Sequence, residues 1–306
     1  MQQTLGSLGE FGWLKHLEKT QERRPGILRG IGDDAAVLAW DRGKDMLFAS
    51  DMLLEGRHFL IGKASYEEIG WKAMAVNISD MAAMGGCPSS AVVSLAAPAN
   101  SRVEDLKKIY RGMRRASRKF QVPVVGGDTN QGPLLTISVA MTGWVEKGRA
   151  LLRRGAKFGD WIFVTGNLGG SYETGKHLRF VPRVAEARYL QKKFRPSAMM
   201  DISDGLASDL RRLCEQSGAG ATLQQAALPV TKGFSTLQAL TDGEDFELLF
   251  TLHPDLGKKM MQCSHPKHLQ KFHHIGEIGG LADGLRMVLP GGTLAPFPKG
   301  GYDHFL

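Results

Sequence analysis

Short apolar runs at residues 35–40 and 46–50, separated by a polar turn, predict a strand pair with Asp51 at the end of its second member. Over residues 66–84, Ile69, Ala73, Val76, Met81 and Met84 recur at helical spacing, and Gly85-Gly86 follows as a stop, so Asp80 falls in the last turns of that helix. A strand is predicted at 90–97, a helix at 104–120, and a strand at 122–125 running into Gly126-Gly127-Asp128. A long alternating strand follows at 134–145. Between 146 and 160 the composition turns to Gly, Arg and Lys, and a fresh strand at 161–165 leads into Gly166-Asn167-Leu168-Gly169-Gly170. A domain boundary is expected there, dividing the chain into 1–147 and 148–306. The second half repeats the style, with helical segments through 190, a strand at 198–202, a helix after Asp204, and strands near 246–252 and 274–278. Interleaved strands and helices of similar length predict an α/β fold with α+β character.

Composition changes this picture in two places. Glycine, at 38 of 306 residues, is well above its usual share of about 7%, which implies many tight turns or close backbone approaches. The 39 basic residues against 31 acidic give a net charge of +8, which serves solubility or favours an anionic partner such as a nucleotide, a phosphate or a nucleic acid. Three scattered cysteines, Cys87, Cys214 and Cys263, provide neither a disulfide framework nor a CxxC metal site. With no apolar run long enough to span a bilayer and no secretory signal pattern, a cytoplasmic protein without a membrane partner is expected.

Acidic residues recur beside Gly or Ser where strands and helices end: Asp33-Asp34, Asp51, Asp80, Asp128, Asp201, Asp204 and Glu244-Asp245. Any one of them is explained by the abundance of Asp in turns. Their repetition in a basic chain points instead to a hard cation such as Mg²⁺, which takes oxygen ligands and is shared between carboxylates and substrate phosphates. Glycines at 125–132 and 166–170 are candidates for concave anion sites. Neither stretch matches the P-loop or the dinucleotide fingerprint. The basic face at 107–119 and the histidines His265, His268, His273 and His274 fit solvated or packed surfaces better than a nucleic-acid or zinc site.

Together, GEF at 9–11, GIGDDAAV at 30–37, SD at 50–51, GRHF at 56–59, AVNISDMAAMG at 75–85, VVGGDTNQGP at 124–133, GRALLRRGAKFGDWIFVTG at 148–166, DISDGLASDL at 201–210, GEDFELLF at 243–250 and KGGYDHF at 299–305 run almost end to end. In this order they resemble the thiamine-monophosphate kinases, within the ATP-binding superfamily of aminoimidazole ribonucleotide synthetase. The resemblance implies a two-domain fold, dimerising through an N-terminal sheet, with ATP in the cleft. It also implies Mg²⁺ ions held by Asp34, Ser50, Asp51, Asp80, Asp128, Asp201 and Asp204, and ATP contacts from Tyr110, Gly127, Asp128, Arg153 and Ser203. The acceptor, thiamine monophosphate, would meet His58, Glu244 and Tyr302, and no residue is expected to act as a general base. Two departures stand out: Ala49 replaces a hydroxyl residue usual in the family, and the segment after Gly170 is shorter. The alternatives are a sister ATPase acting on an aminoimidazole ribonucleotide or selenophosphate type of acceptor, or a non-catalytic phosphate-ligand or nucleic-acid binding protein.

Overall fold

The computed structural model describes residue 15 and residues 25–29, 32–41, 43–264, 266–298 and 300–302. Motif residues 9–11, 30–31, 299 and 303–305, together with His265, lie outside the described residues. The first half builds a six-stranded sheet from β1 (Ile27–Arg29), β2 (Ala36–Asp41), β3 (Lys44–Leu54), β4 (Cys87–Ala97), β5 (Val124–Gln131) and β6 (Thr136–Glu146), in the order β1-β2-β3-β6-β4-β5. Its pairs are antiparallel except for β4 and β5, which run parallel. Two helices, α1 (Tyr66–Ala83) and α2 (Val103–Phe120), belong to the same half.

The second half forms a seven-stranded sheet from β7 (Trp161–Thr165), β8 (Ala198–Asp201), β9 (Gly220–Gln224), β10 (Leu248–Leu252), β11 (Phe272–Gly279), β12 (Leu285–Val288) and β13 (Leu294–Pro296). The order is β13-β12-β9-β11-β7-β10-β8. Its helices are α3 (Lys176–Arg179), α4 (Val184–Lys193), α5 (Leu206–Ser217), α6 (Thr236–Thr241) and α7 (Pro254–Gln262). The predicted mixture of strands and helices is the one observed. No helix among the described residues is long and apolar enough to cross a membrane.

Two strands differ from the sequence reading in ways that matter for the site. β3 continues to Leu54, so Asp51 lies inside a strand and not at its end. The Gly126-Gly127-Asp128 segment is also strand, held in β5 by pairing along β4. Gly127 is required there because a Cβ would stand 1.9 Å from the Val93 carbonyl oxygen. Helical segments expected up to residue 190 are two helices, α3 and α4, and β9, β12 and β13 are too short to leave a readable pattern.

The helix α1 is the wall shared by both halves. Ser65 caps its start, accepting from the Glu68 amide at 3.2 Å, while Glu68 Oε2 accepts from the Ser65 amide at 3.0 Å. Nearly every residue from Ile69 to Ala83 is buried, a pattern typical of a helix enclosed on all sides. One core unites its apolar residues with β3, β4, β6 and α2, and with Leu178, Phe180 and Phe246 from the second half. Phe180 and Phe246 stack with centroids 4.0 Å apart, and Trp71 Nε1 donates to the Phe180 carbonyl at 2.8 Å.

Two glycines let α1 and α2 touch backbone to backbone. A Cβ on Gly70 would sit 1.9 Å from the Ile109 oxygen, and one on Gly112 would sit 1.9 Å from the Glu67 oxygen. Gly→Ala in a helix ordinarily gains about 0.5–1 kcal/mol, whereas overpacking costs about 1–3 kcal/mol. Here the obstacle is backbone, which cannot rotate away, so the clash prevails. Gly112→Ala is therefore expected to lower the melting temperature by several degrees, and a thermal melt showing an unchanged or raised midpoint would contradict this packing.

Candidate active site

Strand alternation sorts the acidic residues before any contact is made. In β3, Asp45, Leu47, Ala49 and Leu53 are buried while Lys44, Phe48, Ser50 and Met52 are exposed, so odd and even positions face opposite sides. Asp51 shares the buried face with α1, where Asp80 sits one turn before the helix ends. Asp34, just ahead of β2, and Asp201, the last residue of β8, join them. Asp34, Asp80 and Asp201 each offer an oxygen within 4.8 Å of the others, a group able to hold a metal ion.

Burial and mutual repulsion set the charge state of this group. Burial, then the neighbouring Asp51, Asp201 and Asp34, holds the Asp80 carboxyl well above the usual carboxylate range. Asp201 is raised for the same leading reason, with Asp34 next. Asp51 is raised by burial too, and the Asp80 carboxyl shares a side-chain hydrogen bond with it. Asp51 Oδ2 is buried without a hydrogen-bond partner among the described residues.

A few groups offset this charge. Arg153 grips Asp34 with two bonds, Nη2 to Oδ1 at 2.8 Å and Nε to Oδ2 at 3.2 Å. Burial opposes its charge, but Asp34 holds the guanidinium above its usual pKa. The Arg153 amide donates to Asp33 Oδ1 at 2.8 Å, and Ser79 Oγ donates to Asp201 Oδ2 at 2.5 Å. Asp204, close enough to Asp51 for its charge to raise that carboxyl, has partners of its own: Arg212 Nη2 donates to its Oδ2 at 2.7 Å, and its amide donates to Asp209 Oδ2 at 3.0 Å. Asp209 is buried outright, and burial followed by the Asp204 charge pushes its carboxyl up to about 8.

Other predicted residues fall elsewhere. Ser50 is exposed, on the opposite face of β3 from Asp51. Asp128 pairs in register with Ser94, which pairs with Ser138 and thence Met52, placing it on that same outer face. It lies three strands from β3, roughly 14 Å away at normal strand spacing. Its carboxylate accepts from the Thr129 amide at 2.9 Å and from Asn130 Nδ2 at 2.6 Å. Gly127 precedes it in β5, and Tyr110 on α2 packs against the first core. The structure thus does not bring Ser50, Asp128, Gly127 or Tyr110 into the buried carboxylate group.

The residues expected at the acceptor converge better. Lys72, buried inside α1, donates to the His58 carbonyl at 2.7 Å and to Glu244 Oε1 at 2.6 Å. Glu244 follows Gly243, and its amide donates to the Ser203 carbonyl at 2.6 Å. The Tyr302 amide donates to the Asp204 carbonyl at 3.0 Å, so backbone bonds bring Ser203, Asp204, Glu244 and Tyr302 to one edge of the second half. Sequence reasoning misses Lys72, Asp209 and Arg212, and reaches Ser79 only as the neighbour of Asp80. A lysine amid the apolar positions of α1 was the one legible sign, since burying a lone charge requires a partner.

The glycine stretch at 166–170 is not an open anion site. Gly169 and Gly170 donate their amides to Asp245 Oδ2 and Asp242 Oδ2, each at 2.9 Å, while the Gly166 and Leu168 amides are taken by Lys271 and Pro229 carbonyls. On the basic helix α2, Lys107 pairs with Glu104, Lys108 with Asp105 and Arg111 with Glu67, while Arg115 and Lys119 lie over the Trp71 ring. His274 stacks on Trp161 with centroids 4.2 Å apart, in keeping with packing and not with zinc.

Residues 32–145 match the AIR synthase related protein N-terminal domain, and residues 157–292 match the corresponding C-terminal domain. The thiamine-monophosphate kinase of Rhodopirellula baltica is 41% identical over 265 residues, covering 80% of this chain and 83% of that protein. The thiamine-monophosphate kinase of Bacillus subtilis is 34% identical, covering 90% of this chain and 93% of that one. Among solved structures, "AaThiL complexed with AMPPCP and TMP" superposes with a TM-score of 0.84 at 31% identity, covering 99% of both chains. With the two family domains spanning both sheets and such relatives matched over most of their length, the chain belongs to the thiamine-monophosphate kinase family of AIR synthase related proteins.

Proposed function

We propose that this protein is an ATP-dependent kinase that transfers a phosphoryl group to thiamine monophosphate, yielding thiamine diphosphate. Support comes from relatives carrying that name along most of the chain, and from a structural neighbour described with AMPPCP and TMP. The observation that carries the reading to this chain is the buried group of Asp34, Asp80 and Asp201, with Asp51, whose Oδ2 has no hydrogen-bond partner among the described residues, beside it. An all-oxygen donor set suits magnesium, so the residues fit the ion the family motifs imply. Asp34, Asp51, Asp80 and Asp201 would hold it, with Asp204 nearby, while Ser50 and Asp128 enter the reading only through the family motif. Bound magnesium supplies charge neutralisation between donor and acceptor phosphates, the largest obstacle to this transfer.

Arg153 keeps Asp34 in place with two of its nitrogens, which leaves Nη1 for an ATP phosphate. Ser203, Gly127 and Tyr110 complete the ATP contacts in this reading. His58, Glu244 and Tyr302 orient the acceptor. The nucleophile is a phosphate oxygen whose second pKa is about 6, so it is mostly dianionic near neutrality and requires no base from the protein. A homodimer formed through the outer face of the first sheet is part of the same reading, because Phe48, Met52 and Val92 stand 45%, 52% and 42% exposed at its centre.

The direct test is ADP formation with thiamine monophosphate, thiamine and an aminoimidazole precursor as competing acceptors. Turnover with thiamine monophosphate alone, dependent on Mg²⁺ and lowered by orders of magnitude in Asp51→Asn, is the expected result; turnover with another acceptor only, or near-normal Asp51→Asn, refutes the reading.

Stability should depend on pH with a defined sign. The raised carboxyls of Asp80 and Asp201 keep protons in the fold that the unfolded chain releases above about pH 4. The contribution of these two groups to the stability of metal-free protein is thus fully present below that pH and is lost as pH rises toward the raised values. In EDTA, the melting temperature is expected to fall between pH 5 and 8, and Asp80→Asn should flatten that fall, with about 2–4 °C recovered per kcal/mol of repulsion relieved. A wild-type midpoint rising over the same range would contradict it. For the dimer, light scattering at micromolar concentration is expected to return twice 33.4 kDa, and Phe48→Asp to reduce it toward 33.4 kDa.

A further inference from the structure

Lys72 is a charged side chain with no exposed surface, set in the middle of the helix that both halves share. Its ammonium has two partners from different parts of the chain, the His58 carbonyl at 2.7 Å and Glu244 Oε1 at 2.6 Å. The first partner is rigid, because the His58 amide donates to the Leu54 carbonyl at 3.0 Å and Nδ1 accepts from the Leu54 amide at 3.0 Å. The second is held at its backbone in an unusual form. Glu244 has φ of +63°, in the left-handed region that non-glycine residues rarely occupy. Its amide bonds the Ser203 carbonyl, and its own carbonyl accepts from Ser171 Oγ at 2.6 Å.

That backbone conformation turns the Glu244 side chain toward α1, where Lys72 takes one oxygen and the side chain keeps 29% of its surface open. Lys72 itself is closed off from any ligand. We propose that Lys72 is a positioning residue for the acceptor: it ties the His58 turn to the Glu244 loop and fixes Glu244 Oε1, so that the remaining carboxylate edge faces the acceptor in one orientation. The inference rests on the reading that His58 and Glu244 line the acceptor site. An anionic oxygen held at one place selects an acceptor with an N–H donor or a positive ring next to it, since a group lacking either leaves the carboxylate unpaired. No proton moves through Lys72; its contribution is geometry and charge compensation.

A double-mutant cycle tests this with wild type, Lys72→Met, Glu244→Gln and the double variant, measuring kcat and KM for thiamine monophosphate and for ATP. Losing a hydrogen bond to a charged group is expected to raise the acceptor KM by about tenfold or more in Lys72→Met, with the ATP KM within about twofold of wild type. Because Lys72 acts through Glu244, the double variant should be no worse than Glu244→Gln alone. The double variant removes both charges of the pair, so it supplies this comparison even where Lys72→Met fails to fold. Multiplying effects in the double variant, an unchanged acceptor KM in folded Lys72→Met, or parallel rises for both substrates would overturn the proposal while leaving the kinase reading intact. Wild-type protein that does not phosphorylate thiamine monophosphate would overturn both, and is distinguished by being visible before any variant is made.

Discussion

Four carboxyl groups, Asp34, Asp51, Asp80 and Asp201, gathered in a buried space are the constraint on which the rest of the molecule depends. Removing one carboxylate from water is costly, and placing several together adds repulsion that falls off slowly in a medium of low dielectric. The chain meets this cost in part with Arg153 on Asp34 and Ser79 on Asp201, and what is left holds the Asp80 and Asp201 carboxyls well above the usual carboxylate range. Asp51 Oδ2 has no hydrogen-bond partner among the described residues. Such an arrangement lowers stability unless a cation completes it, which is the usual sign that function and not folding has chosen the residues.

The carboxylates come from β3, α1, the approach to β2 and the end of β8, so they meet only when both sheets are docked on α1. That docking relies on Phe180 and Phe246, stacked on each other within the first core, and on ion pairs that cross between the halves, Lys72 with Glu244 and Arg188 with Glu146. Neither adds much net stability: desolvation offsets much of the attraction for the buried Lys72, and solvent screens the exposed Glu146. Their value is orientation: breaking one leaves a buried charge uncompensated, so the wrong relative placement of the halves is strongly disfavoured. One of these pairs, Lys72 with Glu244, is also the pair proposed above to orient the acceptor.

Much of this was legible in the sequence. Period-two and helical spacings located the long elements, because β3, β6, α1 and α2 each bury one or more faces over many residues and repetition makes the pattern readable. Asp51 and Asp80 stood out as acids that follow Ser in two of those elements, and Asp201 as the first acid of Asp201-Ile202-Ser203-Asp204 at the end of a shorter strand. The family match, carried by ordered motifs, extended the reading to Arg153, His58 and Glu244, residues whose own patterns were uninformative. Short strands such as β12 and β13 escaped because three or four residues show no period.

By itself, the sequence determined the α/β architecture, the membership of the chain in a kinase family and the choice of acidic residues that any cation site would use, since these depend on local spacing and on motifs contiguous in the chain. Tertiary structure alone decided which acids meet. Strand alternation put Asp51 on the buried face and Ser50 on the opposite one, and pairing across β6 and β4 carried Asp128 to that opposite face as well. It also revealed Lys72 as the partner of Glu244, 172 positions away. The physical reason is range: propensity and periodicity act within a few residues, whereas repulsion between carboxylates and the pairing of a buried ammonium depend on which surfaces have been excluded from water, a property of the whole fold.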